Sequence, residues 1–245
     1  MEIEFSSVSQ FKDILSMCSA LHSDISISFL PEEMNIKIMS DDSIAFINFS
    51  AFKSFFNKYE IEKPVKISVF LDDLLKILKY AKSADRIQMK YEGERLEITI
   101  LDKYKSVFKV PLVNGDFSPS AEPNLKFDSY IELNAGLLKE LIEKGLSLDD
   151  TVGFILDKNK FIVYSKGDEK EYNVELSLGE TPEISAIKAD KRIESKYQGE
   201  ILYKIVSYLD DDKNVKLYFS SDYPLKIEYS LENANLIYLQ AQRIS

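Results

Sequence analysis

Few residues in this chain could make or break bonds. It has one histidine, His22, two positions before Asp24, and one cysteine, Cys18, close to Met17 and Ala20. Catalysis at neutral pH draws on histidine, an activated cysteine or carboxylates held in a pocket. His22 reads as a cap or surface residue at a helix end, and Cys18 as a packed thiol that has no second cysteine to join. The carboxylates come in short runs. Asp72 and Asp73 open an amphipathic stretch, where a helix N-terminus favours negative charge. Asp149 and Asp150, like Asp210 to Asp212, follow helical patterns and read as solvated turns. None has EF-hand spacing or a His/Cys cluster beside it. "EGERLE" and "SKGDEKE" are hairpin turns, and no Gly-rich phosphate loop is present. The expectation is no enzyme, no metal site and no cofactor.

What remains is lysine. In "LDDLLKILKYAK", at 100° per residue, Leu71, Leu74, Leu75, Ile77, Leu78 and Ala81 fill one arc. Lys76, Lys79 and Tyr80 lie opposite, with Lys82 at the margin. The chemistry open to such a row is weak contact with phosphate rather than sequence readout. Yet the chain carries 41 acidic against 31 basic residues, a formal net charge of -10. That balance argues against gripping nucleic acid by overall attraction, so contact with DNA must be local.

The elements that hold these lysines come in duplicate. At 245 residues and 45% hydrophobic, the chain can fill two cores. "VSQFKDILSMCSALHSDISISFLPEEMNIKIMS" matches "NAGLLKELIEKGLSLDDTVGFILDKNKFIVYS" at a displacement of 127 residues, with Phe11 on Leu138, Lys12 on Lys139 and Leu15 on Ile142. The lysine-bearing stretch matches "GEILYKIVSYLDDDKNVKLYF" at 128, with Leu74 on Leu202, Lys76 on Lys204 and Tyr80 on Tyr208. Each copy reads as a strand, an amphipathic helix, four strands, a second helix and three more strands. The helices are expected at about Val8 to Leu21, Asp72 to Ser83, Ala135 to Gly145 and Glu200 to Leu209. Between the copies lies "VNGDFSPSAEPNLKF", a Gly- and Pro-containing connector. The domains are therefore 1–112 and 129–245, joined by 113–128, in an α+β fold with two helices packed on antiparallel sheets in each domain. The acidic start "MEIEFSSVSQF" lacks a signal-peptide pattern and apolar runs stay short, so the expectation is an intracellular protein away from membranes.

Duplicated units of two helices and many strands, joined by such a connector, resemble the PCNA-type DNA sliding clamp along the whole chain. "LDDLLKILKYAKSADRIQMKYEGERLEITI" is similar to the clamp's second helix and following strands. "YPLKIEYSLENANLIYLQAQRI" resembles its Pro-Leu strand and terminal segment, and "MSDDSIAFINF" resembles the loop and strand beside the partner pocket. The resemblance implies a DNA-clamp fold whose helices line a hole, with three subunits closing a ring around duplex DNA. It implies no catalytic activity but a processivity factor that tethers DNA polymerase, flap endonuclease and DNA ligase in replication and repair, served by a clamp loader. The expected source is archaeal and the expected location cytoplasmic, at the nucleoid. The alternative is a clamp-like checkpoint or scaffold protein without a processivity role.

Carried over by position, the resemblance implies three sets of residues. DNA would face Lys12, Lys76, Lys79, Lys82, Lys139 and Lys204. A peptide pocket would be lined by Ile44, Phe46, Pro224, Leu239, Ala241 and Ile244, flanked by Phe117, Ala121 and Pro123 of the connector. Subunits would join through edge strands at Tyr104, Val107, Phe108 and Val110, and at Tyr172, Val174, Leu176 and Leu178. The chain departs from the family's pattern at Ser40, where Met or Leu is usual, and at Gln242, where proline is usual. Glu140 and Glu143 stand at often-basic positions of the third helix, a change suited to one member of a heterotrimer such as crenarchaeal clamps form.

Overall fold

The computed structural model describes residues 1–83 and 85–244 and divides into two compact units. Unit 1 comprises Met1–Ala121 and Ser230–Leu236; unit 2 comprises Glu122–Tyr229 and Ile237 onward.

Unit 1 runs β1 (Glu2–Phe5), α1 (Val8–Ser19), β2 (Asp24–Phe29), β3 (Glu33–Met39), β4 (Ala45–Phe52), β5 (Phe56–Glu60), β6 (Val65–Phe70), α2 (Leu71–Leu78), β7 (Arg86–Glu92), β8 (Arg95–Leu101) and β9 (Lys105–Pro111). Its strands line up antiparallel as β5-β1-β7-β8-β9 and as β4-β3-β2-β6. Helix α1 begins where the Ser7 hydroxyl accepts from the Gln10 N–H, satisfying one of the first turn's orphan donors. It buries Val8, Phe11, Ile14, Leu15, Met17 and Cys18, and the Phe11 ring stacks on Phe5 with centroids 3.9 Å apart. The Cys18 thiol is fully buried and pushed up to about 12, which leaves it packed and unreactive at neutral pH.

Unit 2 repeats the order: β10 (Tyr130–Asn134), α3 (Ala135–Leu146), β11 (Thr151–Asp157), β12 (Lys160–Lys166), β13 (Glu171–Ser177), β14 (Ile184–Lys188), β15 (Ile193–Gln198), α4 (Gly199–Val206), β16 (Asn214–Tyr218), β17 (Leu225–Leu231) and β18 (Ala234–Gln240). Its strands line up as β14-β10-β16-β17-β18 and as β13-β12-β11-β15. Displacing α1 by 127 residues gives the bounds of α3, and displacing α2 by 128 gives those of α4. Aligned core positions are buried in both copies, as with Ile27 and Phe154 or Met34 and Phe161. The repeat reaches irregularities too. β1 slips its register against β5 between Glu4 and Phe5, and β10 slips against β14 between Glu132 and Leu133.

Two expectations need correcting. Five strands, not four, separate the helices of each unit; the additional ones are β5 and β14. And α2 stops at Leu78, with Lys79 as its C-cap, so Lys79, Tyr80 and Lys82 follow the helix instead of continuing its polar face.

Candidate functional site

In each unit the two helices lie side by side, α1 against α2 and α3 against α4. Leu71, Leu74 and Leu78 bury one face of α2, and Gly199, Leu202, Ile205 and Val206 that of α4, so the lysines stand on the side left to solvent. Lys76 and Lys204 occupy last turns, where a cation also meets the negative end of the helix dipole.

The six lysines are not equally available. Lys76 Nζ is 3.1 Å from Asp72 Oδ2 one turn earlier on α2, and Lys139 is held by Asp211. Lys12, Lys79, Lys82 and Lys204 make no ion pair among the described residues; Lys79, Lys82 and Lys204 are exposed and Lys12 is half-buried. The acidic positions of α3 have local partners. Glu140 pairs with Lys144 on the next turn, and Glu143 faces the Tyr203 hydroxyl on α4.

The residues carried over for a peptide pocket fall in both units, and each unit treats its own differently. In unit 1, Phe46 is core at 2% exposure, Ile44 and Phe117 are half-buried and Ala121 is exposed. In unit 2, Leu239 is buried, Pro123, Pro224 and Ala241 are half-buried, and Ile244 is 88% exposed. Unit 1 also holds a groove of ≈ 430 Å³ lined by His22, Met39, Ser40, Asp41, Phe117, Pro119, Ser120 and Ala121.

His22 lines this groove, and its backbone N–H also closes the end of α1 on the Cys18 carbonyl at 3.2 Å. Its Nδ1 accepts from the Asp24 N–H at 2.9 Å, which leaves the ring proton on Nε2, 3.1 Å from Asp41 Oδ1. The ring lies 5.9 Å from that of Phe117. Ser40 has a local task as well. Its hydroxyl donates to Asp42 Oδ1 at 2.6 Å and accepts from the Ala45 N–H at 2.9 Å, closing the turn in which Ser43 takes φ 58°. That bond and the Ile44 N–H hold the Asp42 carboxyl below its ordinary range. A Met or Leu at position 40 could not tie the turn this way.

The connector's first half is fastened to unit 1. The Val113 N–H donates to the Ser68 carbonyl at 2.8 Å, and the Phe117 N–H to Ser26 Oγ at 2.8 Å. Lys66 Nζ meets Asp116 Oδ2 at 2.7 Å and holds that carboxyl down at about 2.

The two strands named for subunit contact are the outermost strands of their sheets, β9 in unit 1 and β13 in unit 2. On β9, Val107 is 44% exposed, Phe108 half-buried and Val110 buried; Tyr104 precedes the strand at 76% exposure. On β13, Tyr172, Val174 and Leu176 are half-buried, as is Leu178 just beyond it. Among the described residues, no group of three or more His, Cys, Asp or Glu is placed to hold a metal ion, and no helix is long and apolar enough to cross a membrane.

Two repeated α+β units, each with a paired-helix layer and antiparallel sheets, define a clamp-fold protein. Residues 1–110 match the family described as proliferating cell nuclear antigen, N-terminal domain. Over 245 residues the chain is 27% identical to DNA polymerase sliding clamp 1 of Thermococcus kodakarensis, covering 99% of this chain and 98% of the relative. Among solved structures, PCNA from Thermococcus kodakaraensis superposes with a TM-score of 0.93 at 23% identity over 99% of both chains. A. fulgidus PCNA, bound to the C-terminal region of FEN-1, superposes at 0.89 with 21% identity over 100% of this chain and 98% of that one. The chain is thus similar to the PCNA-type sliding clamps, to the family model over residues 1–110 and to the clamp relatives along its whole length.

Proposed function

We propose that this chain is a subunit of a DNA sliding clamp: a processivity factor, not an enzyme, that encircles duplex DNA as part of a trimeric ring and tethers other proteins to it. What carries the reading is the repetition of a lysine-bearing helix pair in both units of a chain similar from end to end to DNA polymerase sliding clamps. Retention by encirclement asks only for weak phosphate contact, and a sparse lysine row on an acidic body supplies that without gluing the protein to DNA from outside. In this reading domains 1–112 and 129–245 are joined by connector 113–128. Lys12, Lys76, Lys79, Lys82, Lys139 and Lys204 face the duplex.

The clients are DNA polymerase, flap endonuclease and DNA ligase, with a clamp loader to place the ring. A relative's structure with the FEN-1 C-terminal region supports a peptide mode of tethering. The residues carried over for it are Ile44, Phe46, Phe117 and Ala121 of unit 1 and Pro123, Pro224, Leu239, Ala241 and Ile244 of unit 2. The working location is the cytoplasm, at the nucleoid. The experiment is polymerase extension on primed circular DNA. The chain, alone or with the other clamp subunits of its own genome, lengthens the products of a clamp-dependent polymerase and stays trapped on the circle until it is cut. Products of unchanged length and no trapping in any combination would sink the reading.

A further inference from the structure

Unit 2 repeats a docking place that the connector fills in unit 1. Displaced by 127 residues, β2 and β3 start where β11 and β12 start, and β6 displaced by 128 starts where β15 does. Ser26 and Ser68, opposed on β2 and β6, therefore correspond to Gly153 and Lys196, opposed on β11 and β15. In each unit the chain leaves its last strand and hooks onto this place through a backbone bond. The Val113 N–H donates to the Ser68 carbonyl at 2.8 Å, and the Arg243 N–H to the Lys196 carbonyl at 2.7 Å. In unit 1 the connector then crosses the opposed pair, with the Gly115 carbonyl accepting from the Ser68 hydroxyl and the Phe117 N–H donating to that of Ser26. In unit 2 Ile244, next after Arg243, is 88% exposed, and no described segment lies across Gly153 and Lys196.

The uncrossed place is a cavity of ≈ 160 Å³, and its lining includes Asp149, Thr151, Tyr164, Lys166, Lys196 and Arg243. Gly153 also lines it, beneath the Tyr164 ring: a Cβ there would stand 2.2 Å from the ring carbon Cζ. The Tyr164 hydroxyl is tied to Glu194 at 2.6 Å. Lys166 and Lys196 stand where unit 1 has Met39 and Ser68, so a thioether and a hydroxyl have become two ammonium groups. Lys196 is half-buried and makes no ion pair among the described residues. Lys166 shares its charge with Glu171 at 2.9 Å, and Arg243 with Asp150 at 2.8 Å. Against these three cations the lining sets one carboxylate, Asp149, whose Oδ1 already accepts from the Thr151 N–H.

We propose that this place on unit 2 receives an extended acidic segment of a partner protein, laid over β11 and β15 as the connector is laid over β2 and β6. Unit 1 supplies the shape of the occupant: a single extended chain whose backbone passes over an opposed pair of residues. The charges supply its chemistry. A carboxylate that reaches Lys196, with Arg243 and Lys166 beside it, gives an unpaired ammonium a charge-assisted bond. Duplex DNA does not suit the same place. A rigid duplex cannot enter a cavity of this size, and Asp150, Glu171 and Glu194 around it repel a phosphate backbone running past. The place shares no residue with the peptide pocket carried over above, and the proposal does not rest on the clamp reading.

Fluorescence anisotropy with labelled peptides tests this on the full chain at low ionic strength. The acidic probe is residues 113–121 of the connector carrying Asn114→Asp, and the neutral probe is the same segment carrying Asp116→Asn. The acidic probe is expected to bind about tenfold more tightly than the neutral one. Lys196→Ala and Arg243→Ala, each confirmed folded by circular dichroism, should weaken it by up to about fivefold. The double variant Lys196→Glu/Arg243→Glu should release it and bind instead the segment carrying Asp116→Lys, a reversal that damage to the fold would not produce. In NMR the Gly153 amide should shift as the acidic probe is added. Failure of both this probe and a labelled oligoglutamate to bind would overturn the proposal, as would undiminished binding to the double variant or a silent Gly153 amide. Displacement of the acidic probe by an equal concentration of duplex DNA would reassign the cations to nucleic acid and overturn it too.

Discussion

Ser26 and Ser68 face each other as a directly opposed pair on β2 and β6, their hydroxyl oxygens 2.7 Å apart in the interior of unit 1. The Phe117 N–H donates to Ser26 Oγ, and Ser68 Oγ donates to the Gly115 carbonyl at 2.7 Å. The donor count fixes the direction between them: Ser26 gives its proton to Ser68. A relay of hydrogen bonds therefore leaves the connector, crosses two strands and returns to it. Ser68→Ala orphans the Ser26 hydroxyl and the Gly115 carbonyl, and Ser26→Ala orphans the Phe117 N–H. Each is expected to cost about 1–3 kcal/mol in denaturant unfolding. Each should also speed proteolysis within residues 113–121. Unchanged cleavage there would mean that the relay does not hold the connector.

The connector's second fastening makes a pH prediction. Lys66, first by its hydrogen bond, holds the Asp116 carboxyl at about 2, below the ordinary 3.8. A depressed carboxyl contributes stability that is complete above its unfolded value and lost as pH falls through its folded one. Proteolysis of the connector by an acid protease should therefore rise between pH 3.8 and about 2. Because Lys66 and Asp116 are about half exposed, the stability at stake is under about 1 kcal/mol. Asp116→Asn should abolish that rise. The same rise in the Asn variant would assign it to other carboxylates.

These two fastenings also mark how far sequence could go. The repeat at 127 and 128 located all four helices and the aligned core, because buried positions in both copies answer to one packing pattern. It passed over β5 and β14, short strands whose ladder with β1 or β10 is broken by a register slip, so period-two alternation is weak. Helical periodicity likewise ran on through Lys79 and Lys82, since nothing in "KYAKS" breaks a helix as Gly or Pro would. Ser26, Ser68 and His22 were not legible as a set. They act through partners distant in sequence, such as Gly115, Phe117 and Asp41, and no local pattern announces a serine that meets another across a ladder.

Pairing within each unit ranks the lysines. Each phosphate neutralised contributes about 0.9 to the slope of log affinity against log salt. Lys79→Ala, Lys82→Ala and Lys204→Ala should each reduce the slope for a labelled duplex by up to about that amount. Lys139→Ala, whose ammonium is already held by Asp211, should reduce it less. Asp72→Ala should act in the opposite direction, steepening the slope by releasing Lys76. An equal reduction from all the lysine variants would show that the internal ion pairs open freely on DNA.

One position breaks the repeat in a way that packing explains. Helix α2 opens on Leu71 and α4 on Gly199, 128 residues later, and both sites are buried. A methyl group at Gly199 would stand 2.6 Å from Leu146 Cδ2 and 2.9 Å from Val152 Cγ2. Leu146 lies at the end of α3, where the aligned residue of α1 is Ser19. Bulk has changed sides: unit 1 places the leucine on the second helix, and unit 2 places it on the first. Gly199→Ala alone must displace the Leu146 or Val152 side chain or α4 itself, and should destabilise the protein by about 1–3 kcal/mol. Adding Leu146→Ala should recover part of that loss, because the second substitution empties the space that the first one needs. The measurement is a double-mutant cycle of denaturation midpoints, and strictly additive losses would show that the two side chains do not compete for one volume.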